Sequence, residues 1–163
     1  MKKILFAILL MAPLSMFAQK FAHCNTAEII TSTKEYTAAQ TEIETLAKQY
    51  DEDLKRMQTE LQKKYEEYQK EAPKLLDNVK QRREAEITDL QQRLQEAMQD
   101  NQQALAKLQQ DKLTTIQELV LAAIKKVGEA GGYVYVFDAS TLPYINTTQS
   151  TDVTADVKKA LGI

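Results

Sequence analysis

From Tyr36 onward, apolar residues recur at Ala39, Ile43, Leu46, Tyr50, Leu54, Met57, Leu61, Tyr65 and Tyr68. The nine steps are three or four residues each and span 32 residues, a mean of 3.56. A single narrow stripe of this period predicts a helix paired through a coiled-coil-like seam, not one buried in a globular core. The mean lies between the heptad and hendecad values, which implies a nearly straight rod with weak left-handed supercoil. A second stripe follows at Val79, Ile87, Leu90, Leu94, Met98, Leu105, Leu108, Ile116, Val120, Ile124 and Val127. Between the two, Ala72-Pro73 breaks the helix, because proline lacks an N–H and disfavours helix at the residue before it. Asp77 or Asn78 is the expected cap of the second helix, and Gly131-Gly132 its stop. Helices over 26–71 and 78–129 have similar lengths. A short link between them predicts an antiparallel hairpin roughly 65–75 Å long.

Outside the stripes the pattern changes. Lys20–Asn25 reads as a short strand, and Asn25 with Glu28 as a helix-capping box. Tyr133–Phe137 is a β-branched and aromatic strand ended by Asp138. Leu142–Asn146 reads as a second short strand, demoted to an edge or bulge by Pro143. Residues 147–151 read as a polar loop, and Thr154 as the cap of a last helix ending at Leu161-Gly162. The expected body, 19–30 with 131–163, holds 45 residues. Domains this small rarely bury enough surface alone, and so few strands leave edges open. Self-association of the body, as a shared sheet or small β-barrel, is the simplest remedy. Each copy would then carry one helical hairpin, 31–130.

Residues 1–18 stand apart. Lys2 and Lys3 precede the apolar run Ile4–Met11, and Ala18 is a small residue at a cleavage position, as in a secretory signal peptide. The apolar stretch Ile4–Ala18 is 15 residues interrupted by Pro13, short of the ~20 that a spanning helix needs. The mature chain would be soluble in an exported compartment. One cysteine and one histidine leave no disulfide framework, no cysteine metal cluster and little material for acid–base catalysis. His23 and Cys24 are neighbours on a strand and point to opposite faces, so they do not chelate together. No glycine-rich phosphate loop is present, and no cofactor or catalytic residue is expected.

Charge adds one feature. From Gln19 onward the chain has 19 basic and 23 acidic residues, a net of −4, with no global basic charge for nucleic acid. Lys63–Arg83, around the expected hairpin tip, reverses this with seven basic and four acidic residues, a net of +3. Lys70, Lys74, Lys80, Arg82 and Arg83, with Leu75, Leu76 and Val79 beside them, form a candidate contact surface for acidic client segments or anionic lipid. The same charges also serve as a solvated face with i,i+4 ion pairs, and the leucines as a seal of the tip.

In order and spacing, these pieces resemble the Skp (OmpH-like) family of periplasmic chaperones. The resemblance rests on the leader, the opening strand Lys20–Asn25, Val79-Lys80-Gln81-Arg82-Arg83 in the hairpin, Gly132–Asp138, and the closing Asp152–Lys159. It covers essentially the whole mature chain. It implies a homotrimer with a β-barrel body and three helical tentacles around a cavity. That cavity holds unfolded outer-membrane proteins in the periplasm, without ATP. Phe21, Ala22, Cys24, Val134, Val136 and Phe137 are the expected trimer-interface residues. Well-known members are basic, and this mature chain is not. A second class, an exported coiled-coil structural or adaptor protein, would need flanking domains that 45 residues do not supply.

Overall fold

The computed structural model describes residues 19–163, so the leader lies outside the described residues. The chain runs β1 (Lys20–Cys24), α1 (Thr26–Ser32), α2 (Lys34–Glu71), a 3-10 turn (Ala72–Lys74), α3 (Asp77–Gly131), β2 (Tyr133–Asp138), β3 (Ser150–Asp152) and α4 (Thr154–Leu161). It divides into two compact units. Among the described residues, one holds 19–29 together with Val120–Ile163, the other Ile30–Leu119.

The first unit is built on a three-stranded parallel sheet in the order β2-β1-β3. Where a closed barrel was expected, the sheet is open. Three strands cannot curl through the full turn that closure requires, so β2 and β3 both present an unpaired edge. Ala22 and Cys24 of β1 are buried together with Ile29, Val153 and Val157. The expected strand at Leu142–Asn146 is irregular, and the third strand forms instead in the polar segment that follows. Pro143 cannot donate to a ladder, and the Asn146 carbonyl accepts from the N–H groups of Gln149 and Ser150. The resulting turn delivers Ser150–Asp152 to β1. Backbone pairing there needs no apolar side chain.

Caps explain most of the boundaries. Asn25 Oδ1 accepts from Glu28 N–H, 3.1 Å, as expected. The reciprocal half of the box goes elsewhere: Asn25 N–H donates to Thr154 Oγ1 and the Glu28 carboxylate pairs with Lys158 at 2.7 Å. The first helix is not continuous to Glu71. It breaks at Thr33, a buried residue whose Oγ1 donates to the Ile30 carbonyl and accepts from Tyr36 N–H, so it caps α2. Before α3, neither Asp77 nor Asn78 is the cap. The Leu76 carbonyl accepts from Val79 and Lys80, which puts an apolar residue in that position. Thr154 likewise lies inside α4, and the Asp152 carboxylate accepts from its N–H and hydroxyl. Gly132 stops α3 with φ +64, a conformation that costs other residues a Cβ–carbonyl clash.

In the second unit α2 and α3 run antiparallel. Glu42 pairs with Lys112 (2.6 Å), Lys64 with Glu86 (2.6 Å) and Glu71 with Arg83 (2.7 Å), so the α3 partner moves back as the α2 residue advances. Ala39, Ile87, Leu90 and Ile116 are its buried apolar residues. From Arg83 the buried and half-buried positions of α3 follow four-three steps through Ile87, Leu90, Leu94, Ala97, Asn101 and Ala104 to Leu108, with Leu105 half-buried beside them. Met98 therefore turns outward and is 46% exposed. On α2, Lys64 takes the place expected for Tyr65, which is 49% exposed. The lysine tolerates this because its stem covers apolar surface while its ammonium reaches Glu86.

Candidate functional site

Two surfaces expose apolar side chains. The first surrounds the 3-10 turn. Ala72 closes α2 by donating to the Tyr68 carbonyl, and Leu75 N–H donates back to Ala72. Leu75 and Val79 are half-buried and seal the turn, whereas Leu76 is 74% exposed. The charges sort in the same way. Arg83 is engaged by Glu71, and Lys80 by Asp77 at 3.5 Å. Arg82 is exposed and acts on Glu86 through its charge. Lys70 and Lys74 are exposed and form no ion pair among the described residues. The hydrogen bond from Lys64, with its charge, holds the Glu86 carboxyl below the usual carboxylate range and raises the lysine in turn. Tyr68 also donates to Glu84 across the helices. Which cations are engaged depends on individual partners, Glu71 of the other helix for Arg83 and Asp77 three residues earlier for Lys80, and the composition of the region does not name them.

The second surface is the outer face of the sheet. Parallel register places Phe21 beside Tyr135 and His23 beside Phe137. The rings of Phe21 and Tyr135 stack with centroids 6.3 Å apart, and those of Tyr135 and Phe137 with centroids 5.8 Å apart. Tyr135 is 59% exposed, and Val134 and Phe137 are also exposed. Leu142, Tyr144 and Ile145 border this face and form with it a groove of about 330 Å³. Ala22 and Cys24, expected at an interface, are instead buried inside the chain. Val136 lies against Gly128, where even one added carbon would come within 3.3 Å. Strand alternation separates the two sets: Ala22 and Cys24 of β1 face inward, whereas Phe21 and His23 line the groove. Tyr135 was missing from the expected set, although the same alternation placed it with Phe137.

His23 is buried with Nδ1 2.9 Å from Ser150 Oγ. Burial, then the nearby charges of Asp138 and Asp152, push the Cys24 thiol up to about 11. It is thus an unreactive packing residue. Among the described residues no group of three His, Cys, Asp or Glu side chains could hold a metal ion, and no helix is long and apolar enough to cross a membrane.

A family model described as outer membrane protein (OmpH-like) matches residues 20–161. Among solved structures, one similar chain is the OmpH-like protein of Caulobacter crescentus, described as a proposed outer membrane chaperone. The two share 16% identity with a TM-score of 0.77, over 88% of this chain and 83% of that one. No curated protein matches the chain.

Proposed function

Since the chain belongs to the OmpH-like outer membrane protein family, we propose that it is an ATP-independent holdase chaperone for unfolded outer-membrane proteins. It works in the periplasm after removal of residues 1–18, as a homotrimer whose antiparallel helix pairs are tentacles around a client cavity. The observation that carries this reading is the family match over 20–161 on a chain whose helix pair leaves Tyr65, Met98 and Leu113 exposed. Apolar residues spaced along a polar surface suit many weak, exchangeable contacts with an unfolded chain, and Met98 adapts its shape to varied partners. The stacked rings of Phe21, Tyr135 and Phe137 and the open edges of β2 and β3 supply the trimer interface. Association covers both the apolar rings and the unpaired backbone groups, which a body of this size cannot cover alone. The free Lys70 and Lys74 at the turn steer acidic client segments and make weak contact with anionic lipid. No cofactor and no catalytic residue enters this reading.

The test is direct. A urea-unfolded outer-membrane β-barrel protein is diluted into buffer containing the mature chain and no nucleotide, and light scattering is followed. Scattering should be suppressed at stoichiometric amounts. Scattering equal to that of the client alone would remove the chaperone reading.

A further inference from the structure

Around α3 the side chains sort by chemistry. At about 100° per residue, the eight glutamines from Gln91 to Gln110 all fall within an arc of about 120°. Arg93, Glu96, Asp100 and Lys107 fall in a separate arc of about 60°. Leu94, Ala97, Asn101, Ala104 and Leu108 hold the half-buried seam. Met98 and Leu105 stand at the border between the seam and the glutamines. The partner helix matches this arrangement in two places, separated by the ion pairs Glu44–Lys48 and Asp51–Lys55 on the same side. A groove of about 390 Å³ on this side is bounded by Gln58, Gln62 and Tyr65 of α2 and by Gln91 of α3. A second, of about 180 Å³, brings Gln40 together with Gln109, Leu113 and Lys112, whose ammonium is taken by Glu42. The ion pair of Lys64 with Glu86 stitches the opposite side. Glu84, which Tyr68 holds, enters the arc nearer the turn, so the uncharged stretch is Gln91–Gln110.

Solubility alone asks only for polar residues and would scatter charge around the helix. A face of glutamines offers something more specific. Each amide is both donor and acceptor, so it satisfies a peptide N–H or a peptide carbonyl whatever the sequence. Gln92 and Gln110 already donate to Glu96 and Thr114. Gln91, Gln95, Gln99, Gln102 and Gln109 are exposed and make no side-chain hydrogen bond among the described residues. Gln91, Gln95 and Gln99 are ~6 Å apart along the axis, close to the ~6.6 Å two-residue repeat of an extended chain.

We propose that this glutamine side of the helix pair is a docking surface for extended, uncharged polypeptide. Its amides bond the bound backbone, and Tyr65, Met98 and Leu113 take apolar side chains. The inference rests on the chaperone reading and names the surface and the class of segment it holds. A second copy of the chain is a poorer occupant. Pairing between helices needs an apolar residue every three or four positions, and here Met98, Leu105 and Leu113 are too sparse.

Thiol footprinting tests it. Cys24 is buried and its thiol is pushed up to about 11, so single cysteines introduced on α3 are alkylated selectively. Gln95→Cys and Gln102→Cys report on the glutamine side, Arg93→Cys and Asp100→Cys on the charged side. The probe is a urea-unfolded outer-membrane β-barrel protein diluted into each variant, with light scattering read on the same mixtures. With client at about five times Kd, mass action gives roughly sixfold slower alkylation at the two glutamine positions, and the charged positions should keep their rates. Equal protection on both sides, or protection only on the charged side, overturns the inference while suppressed scattering leaves the chaperone reading standing. Protection of the glutamine side without client, rising with protein concentration, also overturns it, since another copy then covers the face. Unsuppressed scattering with no protection anywhere overturns both.

Discussion

Asp138, the last residue of β2, accepts hydrogen bonds from both the N–H and the hydroxyl of Thr26, the first residue of α1. The two are 112 residues apart in sequence. Ser140 adds its own N–H and hydroxyl to the same carboxylate. One side chain thereby satisfies a free donor at the start of α1 and closes the turn after β2. Burial disfavours the charged form of Asp138, but these hydrogen bonds outweigh it together, and the carboxyl is held below its usual range. A carboxyl lowered in the folded state contributes stability above its unfolded pKa and loses it as pH falls through the folded value.

Asp138→Ala should therefore destabilise the protein by about 1–3 kcal/mol, the range for charged hydrogen bonds whose partners lose them. Urea midpoints measure this. The acid dependence is the sharper readout. Between roughly pH 5 and pH 2 the native protein should lose more stability than Asp138→Asn, which has no proton to take up there.

At Gly132 the requirement is conformational. With φ +64, Gly132→Ala should cost about 1–2 kcal/mol and Gly132→Asn less. Urea titration should show a lower midpoint at unchanged slope, because the surface exposed on unfolding stays the same.

Free and engaged cations near the turn should separate. Lys70→Gln with Lys74→Gln should slow association with an unfolded outer-membrane protein at low salt, an effect that fades at physiological salt, where the Debye length is ~8 Å. Arg83→Gln instead removes the partner of Glu71 and should lower stability by about 0.2–1 kcal/mol. Stopped-flow rates and urea midpoints distinguish the two classes.

Local signals were legible in the sequence where they act through neighbours. The period of the stripes, Pro73, Gly132, and the Asn25 cap all fix structure within a few residues, and the structure has them. What the sequence hid depends on distant partners. The break at Thr33 falls in Thr31-Ser32-Thr33, a weak helix-forming run whose hydroxyls could equally have bonded back within one continuous helix. The third strand was hidden because Ser150–Asp152 pairs through its backbone, with no apolar pattern to announce it. Tyr65 and Lys64 exchange roles because Glu86, 22 residues away, rewards the lysine. The basic turn was visible as composition, but which of its cations stay free followed only from Glu71 and Asp77. Register with Phe21 gathered the aromatic face around Tyr135.

The measurement that bears most directly on the trimeric holdase is native mass spectrometry of the mature chain, alone and with a urea-unfolded outer-membrane β-barrel protein. A trimer without folded monomer at micromolar concentration is expected, binding one client without nucleotide. Tyr135→Ser with Phe137→Ser, which alters exposed rings, should shift the trimer toward dissociated chains while α2 and α3 keep their helical signal. A folded monomer that binds no client, or a trimer unaffected by loss of both rings and unable to hold a client, would contradict it.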